Sequence, residues 1–325
     1  MVMNPLRIIL NSTKLLKMFS SNIKTLIRFK YSRKIINFYY NELSFAEKKR
    51  FHSRYKRLYR ESEKYGFNGI WKVKFLNNRI LIPISKGEMW LNWDMALTLS
   101  GHDIEIKLFY HNFIKSDFKP KVFFDVGANY GIHSLIFLSN NIKTVTFEPN
   151  VKCKPFFHKM CTLNNFKPCL VNKAVGEISG FASLMFPERE TWLGSLEAST
   201  KQKIKDYKQS TQIEVEVITL DNYCKLNNIF PDLIKIDTEG FEIFVLKGAS
   251  HILKEHKPIV IFESNKKEER LPIFDFLTPL GYILFDLLNL KIELNPKSFL
   301  ENERTNYVAI HSKEKQLLEI RPFTE

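Results

Sequence analysis

The chain has 325 residues, 44% of them hydrophobic, which suits one sizeable α/β domain with additions or two small domains and excludes a wholly disordered chain. Its formal net charge is +14; residues 1–66 hold sixteen Lys and Arg against four Asp and Glu, so the basic character belongs to the N-terminal segment and the remainder is nearly neutral. The four cysteines (Cys153, Cys161, Cys169 and Cys224) form no C-x-x-C pair, and no His/Cys cluster has zinc spacing, which argues for reduced thiols in a cytoplasm-like compartment.

The first acid in the chain is Glu42. Before it, Leu6, Ile9, Leu16, Phe19, Ile23, Leu26 and Ile27 fall at helical spacing, with Lys14, Lys17, Lys24 and Arg28 between them. A basic amphipathic helix of this kind either lies peripherally on an anionic membrane surface, through about residues 1–40, or packs on the body and solvates its basic face. No run of apolar residues is long enough to span a bilayer. A cleaved signal peptide fits poorly, because lysines break the apolar region. From Tyr39 to Tyr65 the pattern is charged and helical. The runs "WKVKFL" and "RILIPI" then read as a hairpin joined across Asn77 and Asn78, and a helical stretch follows through Trp93 and Met95 to Gly101.

After Pro120 the texture changes. "VFFDV", "TVTFE", "CLVNKAV", "DLIKID" and "PIVIFE" are short apolar strands that alternate with helical stretches, the pattern of a mostly parallel sheet covered on both faces. The implied division is a basic helical segment (1–66), a small hairpin and helix cap (67–118), an α/β domain (119–312) and a C-terminal tail (313–325). The first strand runs into "DVGANYG". Gly127 and Gly131 permit a close approach of backbone and ligand, in the crevice where doubly wound sheets bind their ligands. The spacing is D-x-G-x-x-x-G, not the G-x-G-x-x-G of a pyrophosphate loop, and Asp125 would repel an anion. It suits a ligand with a positive centre, such as the ammonium and sulfonium of S-adenosylmethionine. Glu148 ends the second strand, where an acid accepts both hydroxyls of a ribose.

Together these motifs resemble the FkbM type of S-adenosylmethionine-dependent class I methyltransferase. "DVGANYG" stands at that family's cofactor loop and "FEPN" at its ribose acid; "ITLDNYC", "LIKIDTEGFEIFVLKGA" and "PIVIFESN" follow in family order. The likeness runs from about Gly101 to His311 and includes "GHDIE", whose Glu105 matches an upstream acid of the family. It does not cover the basic segment, and "GIHSL" departs from the aromatic residues usual at Ile132 and His133. The resemblance implies a seven-stranded, Rossmann-like sheet with its last strand antiparallel, and methyl transfer to oxygen. A glycan, glycolipid or small-molecule hydroxyl is the acceptor expected from family habit.

The residues themselves place Asp237 and Glu263 at the ends of strands four and five, on the sheet edge that carries Asp125 and Glu148. Asp237 is the first candidate base, Glu263 the second, and Glu239 opens the helix after strand four. A divalent metal held by these three acids is an alternative that the residues leave open, as is a purely structural Glu239 at a helix N-terminus. Asn129 is expected to orient the methionine end, and Asn172 and Ala174 lie in the usual adenine region. Trp192 to Ser195 either line the acceptor side or pack on the core. Asp221 is expected to cap its own helix. Three rivals compete. A nicotinamide oxidoreductase lacks its glycine motif here. A nucleic-acid methyltransferase lacks both a basic body and an N-P-P-Y-like motif, so nucleic acid is not expected as a partner. A non-catalytic membrane-associated protein would tolerate loss of the site acids, yet all of them stand.

Overall fold

The computed structural model describes residues 4–56, 67–86, 93–188, 191–205, 207 and 209–314. The predicted tail from 315 and the predicted helix beyond Lys56 lie outside the described residues. Two compact units divide the chain. The first takes the residues up to His111 together with Phe156–Lys167, and the second takes Asn112–Pro155 and the residues from Pro168 onward.

The first unit opens with four helices, α1 (Pro5–Asn11), α2 (Thr13–Leu26), α3 (Lys30–Asn41) and α4 (Phe45–Tyr55). The single amphipathic run expected from the sequence is cut by its caps. Asn4 accepts from the Leu6 N–H and Ser12 from the Leu15 N–H, so each starts a new helix. Ser44 and Glu47 form a reciprocal capping box at α4, and the Arg7 Nε donates to Glu47 Oε1 at 2.7 Å. The apolar face is spent inside: Leu6, Leu10, Ile23, Ile27, Ile36 and Tyr40 are buried. Strands β1 (Gly69–Phe75) and β2 (Asn78–Ile84) pair antiparallel, with Trp71, Val73 and Phe75 turned inward. The turn is Leu76–Asn77, one residue earlier than expected: Asn78 pairs with Phe75 and Leu76 takes the positive φ of 53°. Tyr40 and Trp93, the latter on α5 (Trp93–Gly101), pack on Trp71 with ring centroids 5.6 and 5.3 Å away. Helix α6 (Ile104–Lys115) follows.

Both edges of this hairpin are closed by asparagines. Asn37 Nδ2 donates to the Lys72 carbonyl (2.6 Å), the Lys72 N–H donates back to Asn37 Oδ1 (2.8 Å), and the Lys74 N–H donates to Asn41 Oδ1 (2.7 Å). On the other edge the Leu81 N–H donates to Asn164 Oδ1 (2.7 Å) and Asn164 Nδ2 returns a bond to the Leu81 carbonyl (2.8 Å). Side-chain amides thus satisfy strand edges that would otherwise invite another chain.

The second unit contains β3 (Val122–Val126), α7 (Ile132–Ser139), β4 (Lys143–Phe147) and α8 (Lys154–Asn164, mostly in the first unit). Then come β5 (Leu170–Val171), β6 (Ala174–Val175), β7 (Gly180–Pro187), α9 (Ala198–Ile204), β8 (Ser210–Ile218) and α10 (Leu220–Asn227). After β9 (Leu233–Ile236) lie α11 (Glu242–Lys247), α12 (Ser250–Glu255), β10 (Ile259–Glu263) and α13 (Lys267–Leu277). The last elements are β11 (Tyr282–Asp286), β12 (Asn289–Glu293), α14 (Pro296–Glu301) and β13 (Asn306–His311). The main sheet has the order β5-β4-β3-β9-β10-β13-β11-β12. It corrects the expected seven strands with one reversed. There are eight, because β12 folds back from β11 as an added edge hairpin, so both β13 and β12 run against the others. The run "CLVNKAV", expected as one strand, is also divided. β5 pairs with β4, whereas β6 leaves for a separate three-stranded sheet with β7 and β8.

The central strands β3 and β9 are buried on both faces, and apolar residues of β10, β13, α11, α12 and α13 complete one core. Asp221 does not cap α10. Thr219 does so, accepting from the Asn222 N–H at 3.0 Å, while the Asp221 carboxylate accepts from the His251 and Ile252 N–H groups, both at 2.9 Å, at the start of α12. Arg270 is only 2% exposed. Its guanidinium donates to the carbonyls of Phe299 (2.8 Å), Asn302 (2.5 Å) and Arg304 (2.8 Å), and it lies over the Tyr307 ring. It fastens the turn between α14 and β13 to the sheet. Arg270→Leu would leave the buried Phe299 carbonyl and the part-buried Asn302 and Arg304 carbonyls without this donor, and a loss of about 3–5 kcal/mol is expected in urea denaturation. A loss under about 1 kcal/mol would show that the turn holds without it.

Candidate functional site

The site grows from three adjacent strand ends. β3 lies between β4 and β9, so Val126, Phe147 and Ile236 end level with one another. The backbone knits the exits together: the Asp237 N–H donates to the Val126 carbonyl at 3.1 Å, and the Gly127 and Ala128 N–H groups both donate to the Phe147 carbonyl at 3.1 Å. Gly127, at φ 74°, has no room for a side chain, since a Cβ would come 1.8 Å from the Asp237 carbonyl oxygen. The glycine is there for the neighbouring strand as much as for any ligand. Gly131, at φ 73°, caps the start of α7.

Between these exits lies a cleft, partly open to solvent. Its lining includes Gly127, Asn129, Glu148, Ala174, Asp237 and Glu239, which the sequence reading had marked. Glu148 is 7% exposed. Its Oε2 accepts from the Asn129 N–H (2.7 Å) and its Oε1 from the Asn150 N–H (2.8 Å). Burial pushes its carboxyl up to about 7, against the pull of those two hydrogen bonds. Asn129 sits at a positive φ of 50° and its Oδ1 accepts from the Cys153 thiol (3.1 Å) and the Thr191 hydroxyl (3.3 Å). The Tyr130 hydroxyl also meets Thr191.

Two other marked residues, Asp125 and Asn172, do not line the cleft. Asp125 is fully buried beneath the loop, where its Oδ2 accepts from the Ser134 N–H (2.9 Å) and hydroxyl (2.7 Å). Side chains alternate along a strand, and Asp125 falls on the face that α7 covers, so it braces the loop rather than facing a ligand. Asn172 donates to the Glu148 carbonyl at 3.1 Å and holds the end of β4. Glu105 is half-buried on α6, in the first unit. The backbone of Trp192 belongs to a 3₁₀ turn (Thr191–Leu193), Gly194 lines the cleft, and Ser195 bridges to Met185; the Trp192 side chain lies outside the described residues.

The acids gather at the other side. Asp237, Glu239 and Glu263 each bring a carboxylate oxygen within 4.8 Å of the others, close enough to share one cation. The loop between them is shaped by Glu242, whose Oε1 accepts from the Thr238 N–H (2.7 Å) and hydroxyl (2.9 Å) and whose Oε2 accepts from the Gly240 N–H (3.1 Å). Glu239 takes φ 55°, a conformation that costs a side-chain-bearing residue about 1 kcal/mol. Its carbonyl accepts from Ser195 Oγ (2.9 Å) and Thr200 Oγ1 (3.2 Å). Burial, then the nearby Asp237 and Glu242, push the Glu239 carboxyl up to about 8, so it is mostly protonated at neutral pH.

Sequence reasoning missed Lys235. This lysine sits inside the apolar strand β9 and is 3% exposed. Its Nζ donates to Asp237 Oδ2 at 2.9 Å, and it stands in register beside Asp125. A lysine within "LIKID", all of whose neighbours are buried or half-buried, was the available signal. Leu184, Leu196 and Phe241 also line the cleft; the first two come from the inserted sheet and its connections, Phe241 stands at the start of α11, and no spacing marks them.

Residues 125–284 match the model of the methyltransferase FkbM domain. S-adenosylmethionine is the cofactor that this match implies. Among solved structures, a methyltransferase FkbM from Methylobacillus flagellatus KT is 17% identical with a TM-score of 0.38, over 59% of this chain and 43% of that one. The match therefore spans less than half of that protein. A SAM dependent methyltransferase from Agrobacterium tumefaciens is 8% identical (TM-score 0.38), over 76% of this chain and 71% of its own. A precorrin-6y C5,15-methyltransferase from Geobacter metallireducens GS-15 is 14% identical (TM-score 0.31), over 58% and 77%. No curated protein matches the chain.

The charge arrangement has a measurable consequence. Burial holds the Asp125 carboxyl above its ordinary range, and the Lys235 ammonium opposes that rise. An acid whose folded pKa exceeds its unfolded value costs stability as pH rises between the two. Removing the cation widens that window. Lys235→Met is therefore expected to lose about 3–5 kcal/mol at pH 8 and clearly less at pH 5. Melting temperatures across that range check it; a pH-independent loss would show that Lys235 does not balance the buried acids.

Proposed function

We propose that the protein transfers the methyl group of S-adenosylmethionine to a hydroxyl oxygen, and that this hydroxyl belongs to a sugar of a glycan, glycolipid or related metabolite. The carrying observation is the convergence of Asp237, Glu239 and Glu263 at the strand ends of a cleft whose lining includes Glu148. The residues fit the cofactor. Glu148 presents a buried carboxylate held by one backbone N–H on each oxygen, with lone pairs left for a diol. Ala174, Val175 and Phe241 give an apolar wall for a purine. The acid-rich end suits a positive centre. When bound, S-adenosylmethionine supplies a methyl carbon already activated by its sulfonium.

The chain's own task is to align the acceptor, exclude water and take a proton. Asp237 is the proposed base. Lys235 occupies its Oδ2, which leaves Oδ1 as the oxygen free to act. Protonated Glu239 is a hydrogen-bond donor beside it, and Glu263 approaches from the end of β10. A rim of carboxyl groups favours an acceptor rich in hydroxyl donors and disfavours a phosphate or carboxylate. That preference supports a sugar. The 4.8 Å clustering of the three acids also supports a second reading, in which they hold a divalent cation.

Two measurements test this. Calorimetry with S-adenosylhomocysteine is expected to show binding that Glu148→Ala weakens at least about tenfold, the worth of one charged hydrogen bond; unchanged affinity, or comparable binding of NAD, would remove the cofactor assignment. In turnover assays on hydroxylated acceptors, Asp237→Asn is expected to lower kcat at least about a hundredfold while affinity for S-adenosylhomocysteine changes little. A chelator is expected to leave the wild-type rate alone. Activity lost to a chelator and restored by Mg²⁺ would instead make the acids metal ligands.

A further inference from the structure

The first unit carries a surface that its own packing does not explain. On α3, Ile36 and Tyr40 face the core, 6% and 0% exposed. The opposite face is also apolar: Tyr31, Ile35 and Phe38 are 78%, 59% and 64% exposed. Their spacing of four and three residues makes one stripe along the helix. Large side chains so arranged at the surface mark a contact with something apolar.

Beside the stripe runs a groove between α3 and the outer face of the hairpin. Its lining includes six cations (Lys30, Arg33, Lys34, Lys72, Lys74 and Arg79) against one acid, Glu42. The hairpin register sharpens the point. Lys74 and Arg79 are directly cross-strand partners, both exposed on the same face. Like charges placed opposite one another destabilise a sheet. The neighbourhood is cationic enough that Lys74 adds to the burial holding the Lys48 ammonium down at about 8. A local rule is broken here without structural return, which is the mark of a ligand site. The asparagine bonds from α3 to β1 set the spacing between stripe and groove.

We propose that this face of the first unit docks on an anionic phospholipid membrane, with Lys72, Lys74 and Arg79 on the headgroup phosphates and Tyr31, Ile35 and Phe38 set into the acyl boundary. The occupant follows from the pairing of features. A bilayer surface offers negative charge and hydrocarbon within a few ångströms of each other. A nucleic acid would neutralise the cations but leave Ile35 and Phe38 in water. No helix among the described residues is long and apolar enough to cross a membrane, so the attachment is peripheral. This refines the sequence expectation. Leu6, Leu10, Ile23 and Ile27 are consumed by the core, and the surface left for lipid is α3 together with the hairpin. The proposal is independent of the methyl-transfer reading.

Co-sedimentation of the full chain with vesicles tests it, comparing phosphatidylcholine alone with about three parts phosphatidylcholine to one part phosphatidylserine. Binding is expected only to the anionic vesicles, falling as salt rises. Lys72→Gln, Lys74→Gln and Arg79→Gln combined are expected to weaken it on the order of a hundredfold, and Tyr31→Ser, Ile35→Ser and Phe38→Ser combined at least about tenfold. All six side chains are exposed or on the outer strand face, so folding should survive. Arg79→Gln alone is expected to raise the melting temperature while lowering vesicle affinity, a divergence that a merely structural role would not produce. The proposal is overturned if the wild type ignores anionic vesicles, if either triple variant binds as the wild type does, or if only an oligonucleotide is retained.

Discussion

Everything around the cleft depends on one buried ammonium. Lys235 lies inside the central strand β9, 3% exposed, in register with Asp125 and bonded to Asp237. A lone charge there would be prohibitively costly, and two acids without it would be worse. The three groups therefore stand or fall together. Asp125 reaches from under the loop to the first turn of α7 through Ser134, and Asp237 leaves β9 with its N–H on the Val126 carbonyl. One charge balance thus aligns β3 with β9, starts α7 and aims the exit of β9. Gly127 completes the fit by letting the Asp237 carbonyl pass where a Cβ would collide.

The next tier of acids is governed by crowding. Glu242 is buried and spends its oxygens on the Thr238–Gly240 turn, which holds Glu239 in its left-handed conformation. Glu239 and Glu242 are both pushed up, to about 8 and about 7, first by burial and then by their acidic neighbours. Lys235 is the buried cation closest at hand, and it is already committed to Asp237. A cleft so arranged favours a ligand that brings positive charge and disfavours an anionic one, which is the electrostatic sense of a sulfonium cofactor in place of a dinucleotide.

Much of this was legible in the sequence, for physical reasons. Parallel strands buried on both faces must be short and apolar, so "VFFDV", "LIKI" and "IVIFE" announce themselves, and the acids following them mark the ligand edge. Glu148, Asp237 and Glu239 came to the cleft because strand ends in a parallel sheet share one edge. Side-chain direction was harder. Asp125 lies one step before that edge and faces the helix, a parity that strand pattern alone does not resolve when both faces are buried. Lys235 was overlooked although a lysine in a buried strand violates the pattern. The eighth strand was missed because β12 is an exposed polar edge, and β6 because only Asn172 and Lys173 separate it from β5, too short a gap to announce a change of sheet. The surface of α3 needed the fold itself, since only packing tells which of its two apolar faces is the inner one.

A crystal structure of the protein with S-adenosylhomocysteine tests the central claim most directly. The account predicts the ribose hydroxyls on the Glu148 carboxylate, the sulfur turned toward Asp237, and Lys235 still bonded to Asp237. Density for the ligand elsewhere, or a Lys235 side chain released from Asp237, would contradict it.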